Sequence, residues 1–426
     1  MDQIILYAYS FLWFLTIIIY VKKRKKAGDV FGVGEVILLS YFVYSIFSIL
    51  LCGSSYFNAS IKVTVFPFIY LYGIELLFLL PLLRYHSSKT QLCHPTDLLL
   101  FNIISAIFII SSLIHLPSVI TSFREGLFQI LSDSSGGADL YTEEMERSYE
   151  SGGGITNLFA IFSSAFSGLG TLFLFYSFVN KKISKWIRAG LLLSYMVILL
   201  NGVSSGQRGL LLEPLYVAIV TYFFFKPYIS KKLNRFISVT FIVITIAISI
   251  PFAALTTSRF DTANNDVVES IYYYAGQENI YFNLYGLDDN GIRYGDRIVP
   301  FFKRILGFRD VPKNFWERRS KYPNLKINDE VFYTYVGDFT IDFGPFFGTL
   351  IMLLLALLFS RKTIVRNNRI KFEQVIVLHS LMYMCMVGGI KLFPFSDVAG
   401  NLKIIVYFTA YILFKYFTIQ KTEPII

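Results

Sequence analysis

Apolar residues in this chain fall in long unbroken runs, separated by polar connections that carry most of the charge. The regular apolar–polar alternation of a half-buried strand is missing from these runs. A spanning helix needs roughly 17–25 mainly apolar residues, and a backbone in lipid must satisfy its own polar groups, which leaves helices or closed barrels. Continuous runs exclude the barrel. Eleven runs qualify: 4–21, 34–52, 63–83, 98–115, 155–179, 189–203, 209–225, 236–255, 335–359, 374–390 and 402–417. The pattern predicts an all-α polytopic integral membrane protein with about 11 transmembrane helices. No small-residue cleavage site follows the run at 4–21, so it reads as a retained helix and not as a signal peptide.

Charge sets the expected orientation, because short cytoplasmic connections keep lysine and arginine. The cluster KKRKK at 22–26, then Lys181, Lys182, Lys185 and Arg188, then Lys226, Lys231, Lys232 and Arg235, then Arg361, Lys362, Arg366, Arg369 and Lys371 all fall on alternate connections. The weaker connection 84–97 agrees. With eleven spans this puts the N-terminus outside and the C-terminus in the cytoplasm. Two long connections then lie outside, where the charge rule does not bind. One, 116–154, is acidic and broken by glycines; the other, 256–334, is large enough for an extracytoplasmic lid between helices 8 and 9, and its second half is basic. The chain thus divides into 1–255 with helices 1–8, the lid 256–334, and 335–426 with helices 9–11 and a cytoplasmic tail.

Composition supports lipid as the solvent: 16% of residues are charged, against roughly a quarter in soluble domains. The net charge of +10 follows from the topology and does not argue for nucleic acid. Three scattered cysteines give neither a disulfide framework nor a metal spacing, and four histidines do not cluster, so no metal is expected. No phosphate-binding glycine loop or dinucleotide fingerprint occurs, and no cofactor is expected. No internal repeat or inverted pair of broken helices at corresponding positions appears, which disfavours a secondary transporter.

Four features carry candidate chemistry. In NGVSSGQRGLLLEPL, 201–215, Arg208 sits between glycines at the outer turn of a helical hairpin, with Glu213 as a counter-charge five residues on. A snorkelling contact to lipid phosphate is the plain reading of such an arginine. A ligand role is the sharper one, because ionisable groups in membrane helices are costly and usually functional or paired. The lid stretch GIRYGDRIVPFFKRILGFRDVPKNFWERR mixes cations with apolar residues as an interfacial helix does. The same guanidinium groups suit a diphosphate, whose oxygens they bind bidentately. Asp338 and Asp342 lie four apart on one helix face at the start of the ninth span, where like charges need a cation or a proton between them. They fit either an acceptor-activating base or a pair of arginine partners. Glu278, behind Tyr272, Tyr273, Tyr274 and Gln277, is a third carboxylate for the acceptor side.

Three stretches together resemble the Wzy-type O-antigen polymerases: SSGQRGLLL at 204–212, RYGDRIVPFFKRILG at 293–307 and VFYTYVGDFTIDFGPFFG at 331–348. With the hydropathy layout the resemblance covers most of the chain. It implies a glycosyltransferase of the bacterial cytoplasmic (inner) membrane, with its active site on the periplasmic face. Such an enzyme moves a growing glycan from one undecaprenyl-pyrophosphate carrier onto the next lipid-linked repeat unit, alongside a chain-length regulator protein. Arg208, and with it Arg293, Arg297 and Arg304, match the positions implied to hold the pyrophosphate; Asp338, Asp342 and Glu278, in that order, are the candidates for the base. The related O-antigen ligases rely on a periplasmic histidine with no convincing equivalent here, so polymerase is preferred to ligase. A lipid-linked glycan flippase is the other alternative, although its cations should line the bilayer midplane and it has little use for a lid.

Overall fold

The computed structural model describes residues 2–26, 31–54, 62–132, 155–204, 208–260, 267–327 and 331–422. Its helices are α1 Asp2–Lys26, α2 Val33–Cys52, α3 Val65–Arg84, α4 Leu99–Ser132, α5 Ile155–Val179, α6 Lys185–Ser204, α7 Arg208–Phe225 and α8 Lys231–Phe260. They continue as α9 Val267–Tyr281, α10 Pro300–Ile305, α11 Phe315–Lys321, α12 Thr334–Lys362, α13 Phe372–Gly388 and α14 Asp397–Tyr416. Each apolar run of the sequence coincides, to within a few residues, with one of these helices. Seven of the helices are long and apolar enough to cross a membrane. The largest departure is α4, which does not stop near His115 but continues to Ser132. Val119, Ile120, Phe123 and Leu127 keep a helical spacing of apolar positions through the stretch that charge alone marks as loop.

The chain divides into two compact units, residues 1–91 with 271–408 and residues 92–270 with 409–426. In the first, α1 packs on α2, and α3, α12 and α13 pack on one another. Trp13 of α1 is fully buried between Tyr41 of α2 and Tyr72 of α3, with ring centroids 4.8 and 4.9 Å away. Gly276 lets α9 lie directly on α2, since a Cβ there would stand 2.4 Å from the carbonyl carbon of Phe47. In the second unit, α4 packs on α5 and α6, and α7 on both of those. Phe101 stacks on Phe173 at 4.6 Å. Strand β1, Gln91–Pro95, pairs antiparallel with β2, Gln420–Thr422, Cys93 lying opposite Thr422.

The C-terminal half of α12 makes the solvent plain. Leu350, Leu353, Leu354, Leu357 and Leu358 are all exposed and recur at helical spacing, giving one continuous apolar stripe. On α8, Phe236, Val239, Val243 and Ile246 do the same. Contiguous exposed stripes of this kind are stable against lipid and not against water. The chain is a membrane protein.

The first half of α12 is different, being buried from Thr334 to Asp342. Between the halves the helix breaks at Gly344, whose φ of 78° lies in the left-handed region, and Pro345 follows. Proline has no N–H to return to Ile341, and the turn of the chain at Gly344 likewise strands the carbonyl of Asp342. Both carbonyls are taken by the connection that precedes α12: Arg293 N–H donates to Ile341 O at 3.1 Å and Gly295 N–H to Asp342 O at 3.2 Å. The broken helix is therefore the seat on which residues 292–299 rest.

Candidate functional site

Around that seat the sequence's paired charges meet. Asp338 and Asp342 project from successive turns of α12, and Arg293 lies across both, with Nε 2.6 Å from Asp342 Oδ1 and Nη2 3.2 Å from Asp338 Oδ1. Arg297 completes the square at 2.7 Å from Asp338 Oδ1. The remaining carboxylate oxygens accept backbone N–H groups: Asp342 Oδ2 from Arg297 and Ile298, at 3.1 and 2.8 Å, and Asp338 Oδ2 from Phe393 at 2.6 Å. Arg293 also donates Nη1 to the Tyr333 hydroxyl at 3.0 Å. Arg293, Asp338 and Asp342 are wholly buried and Arg297 is 6% exposed. Two guanidinium groups against two carboxylates sum to zero charge, which is what makes burial of four ions tolerable. The arrangement is a clasp that fixes the connection to α12, and both oxygens of each aspartate are engaged in it.

A second cation group sits just outside the clasp. Arg293, Trp316, Arg318, Arg319, Tyr322 and Lys326 contribute to the walls of a cavity of about 450 Å³, within the size range of small-ligand sites. Asn314 starts α11 as its cap, accepting the Glu317 N–H at 2.9 Å, and the following turn presents Arg318 and Arg319. Arg318 is buried and anchored by Asp397 at 3.0 Å, whereas Arg319, Lys326 and Trp316 are exposed. Beneath the rim, Asp296 gathers Lys303, Lys321 at 2.8 Å and the Tyr322 hydroxyl at 2.7 Å. Burial on its own raises the Asp296 carboxyl; these three donors outweigh it and hold the group below its ordinary value. Asp296 together with Asp310, 2.8 Å from Lys321 Nζ, raises Lys321 against the opposing effect of its own burial. A cleft with fixed cations and an exposed indole can hold a phosphate-bearing ligand and stack an apolar ring face.

No family model, curated protein or solved structure matches this chain.

Of the residues singled out from sequence, Arg293, Arg297, Asp338 and Asp342 come together in the clasp. Arg304 stands apart from it, half-buried, donating Nη2 to the Pro312 carbonyl at 2.7 Å. Glu278 is fully buried in α9 and receives Asn279 Nδ2 at 3.0 Å; it makes no contact with the clasp. Arg208 is the first residue of α7, in the second compact unit, and its side chain lies outside the described residues. Sequence reasoning named Arg318, Arg319 and Trp316 only as part of a basic stretch. An Asn-x-x-Glu cap followed by Arg-Arg, 314–319, was the local signal that these cations sit on one short ordered helix.

Proposed function

We propose that this protein is a metal-independent polymerase of lipid-linked oligosaccharide repeat units, working at the outer face of the cytoplasmic membrane. The observation that carries the reading is the cation-lined cleft with its exposed tryptophan, built on a long connection between two membrane helices. The donor is a glycan on a polyprenyl diphosphate. Breaking its glycosyl–phosphate bond leaves negative charge on the diphosphate, and preorganised cations in a water-poor site stabilise that charge without a metal or a nucleotide. Arg318, Arg319 and Lys326 are the groups assigned this task, with Arg208 and Arg304 as further contributors from the resemblance. The acceptor hydroxyl must lose its proton as it attacks, which calls for a base. Asp338 or Asp342 can serve only after the clasp opens, because each has both oxygens occupied. The eleven-span topology, with the lid outside, belongs to the same proposal.

The test is incubation of the purified protein with synthetic undecaprenyl-pyrophosphate repeat units, with products resolved by size. A ladder is expected, and Arg319→Ala with Lys326→Ala together should cut chain lengthening at least ten-fold while the protein still inserts and stays monodisperse. Arg208→Ala should do the same. A single transfer to a lipid core would mean a ligase, and translocation without any product would mean a flippase; either outcome rejects the polymerase.

A further inference from the structure

Away from the clasp, the helices of the first unit enclose a second pair of acidic groups. Glu75 of α3 is 1% exposed and Glu278 of α9 is fully buried. Tyr9 of α1 donates its hydroxyl toward Glu75 Oε2 at 3.4 Å and to Asn279 Oδ1 at 3.1 Å. Asn279 Nδ2 in turn donates to Glu278 Oε1 at 3.0 Å and to Ser48 Oγ of α2 at 2.9 Å. Tyr9 and Asn279 thereby link the two carboxyls in one hydrogen-bonded chain. Tyr335 of α12 and Cys385 of α13 are the other titratable groups near enough for a charge on Glu75 to act on them. Among the described residues no lysine, arginine or histidine pairs with either glutamate, in contrast to the four balanced charges of the clasp. Two oxygens remain without a hydrogen-bond partner, and each belongs to a different member of the pair: Glu75 Oε1 and Glu278 Oε2.

Two carboxylate charges cannot share a dry helical core without a counter-charge, because the desolvation cost alone reaches several kcal/mol per ion. A metal ion is a poor solution here. Hard cations want about six or more oxygen ligands, and the donors of Tyr9 and Asn279 already point hydrogens at this site. A proton on either carboxyl turns an orphan acceptor into a donor and removes one of the two charges, which the other carboxyl then need not oppose. We propose that Glu75 and Glu278, linked through Tyr9 and Asn279, form an intramembrane proton-binding site that holds one proton at neutral pH. The proton secures α9 against α1, α2 and α3, and its loss leaves two like charges at that contact. The site is independent of the glycan chemistry proposed above and stands or falls without it.

Infrared spectroscopy of the protein in nanodiscs reads the proton directly, through the C=O stretch of a protonated carboxyl. At neutral pH one such band is expected that Glu75→Gln and Glu278→Gln each abolish or shift, that strongly alkaline buffer removes, and that sodium chloride leaves unchanged. Absence of the band from the unmodified protein overturns the proposal, as does a band that neither substitution alters. Loss of the band on adding sodium at fixed pH overturns it in favour of a metal-ion site. Should Glu278→Gln fail to fold, Glu75→Gln and Glu75→Asp carry the same readout: the first must remove the band and the second must retain it at a shifted position.

Discussion

Arg293 commits its guanidinium to Asp338, Asp342 and the Tyr333 hydroxyl, and is wholly buried. Removing one partner of a buried ion pair leaves the other uncompensated, a loss of about 3–5 kcal/mol, whereas replacing both can be nearly neutral. Arg293→Met and Asp342→Asn should therefore each lower the thermal midpoint in detergent sharply, while the double variant recovers a substantial part of the loss. Independent, additive losses would show that the two do not act as a pair. Asp296 makes a pH prediction of definite sign. Its folded value is depressed, so the stability it lends is fully present above the ordinary carboxylate value, about 3.9, and is lost as pH falls through the lower folded value. Acidification through that lower value should release Lys303, Lys321 and Tyr322 and change the fluorescence of Trp316, which lines the same cleft as Tyr322. Asp296→Asn should show that changed emission already at neutral pH.

Within α12, one glycine decides whether the clasp has a seat. Gly344 holds a φ of 78° with open space where a Cβ would point, its nearest neighbour being Ile292 Cγ2 at 3.5 Å. Gly344→Ala therefore meets a backbone penalty and not a collision, roughly 1–3 kcal/mol, because its ψ of 158° puts it in a region open essentially to glycine alone. Its effect should appear as weaker protection of the 295 amide in hydrogen exchange, because a straightened helix returns the Phe346 N–H to the Asp342 carbonyl, whereas Pro345 leaves the Ile341 carbonyl to the 293 amide. Unchanged protection would mean that the clasp alone fixes the loop. The helices were legible in the sequence because lipid demands long apolar runs, and Asp338 and Asp342 stood out because charge inside such a run is rare. What their partners were was not legible: Arg293 and Asp342 are 49 positions apart, and no local periodicity encodes that contact. The span 335–359 reads as one continuous run, and only the coordinates show that it breaks at Gly344 and which chain segment fills the break. The acidic tract 116–154 misled in one respect, since residues to 132 are helical despite their charge. The rest of that tract lies outside the described residues.

For the molecule as a whole, the alternation of basic connections predicts a topology that can be measured. In a variant whose three cysteines are replaced, a cysteine at the exposed position Leu306 should react with a membrane-impermeant maleimide in intact cells. One at Arg366 should react only after permeabilisation. The reverse pattern would place the cationic cleft in the cytoplasm and remove the basis for a lipid-diphosphate donor arriving from the outer leaflet. The composition of the first compact unit has a further consequence. It joins residues 1–91 to 271–408, so its two parts are made far apart in time, with 179 residues of the other unit between them. During synthesis α1 to α3 enter the bilayer as orphans, and Arg293 and Arg297 emerge from the ribosome before the aspartates that neutralise them. A nascent chain arrested near residue 330 should be the species most exposed to quality-control proteases, and release past α13 should make it resistant in a single step.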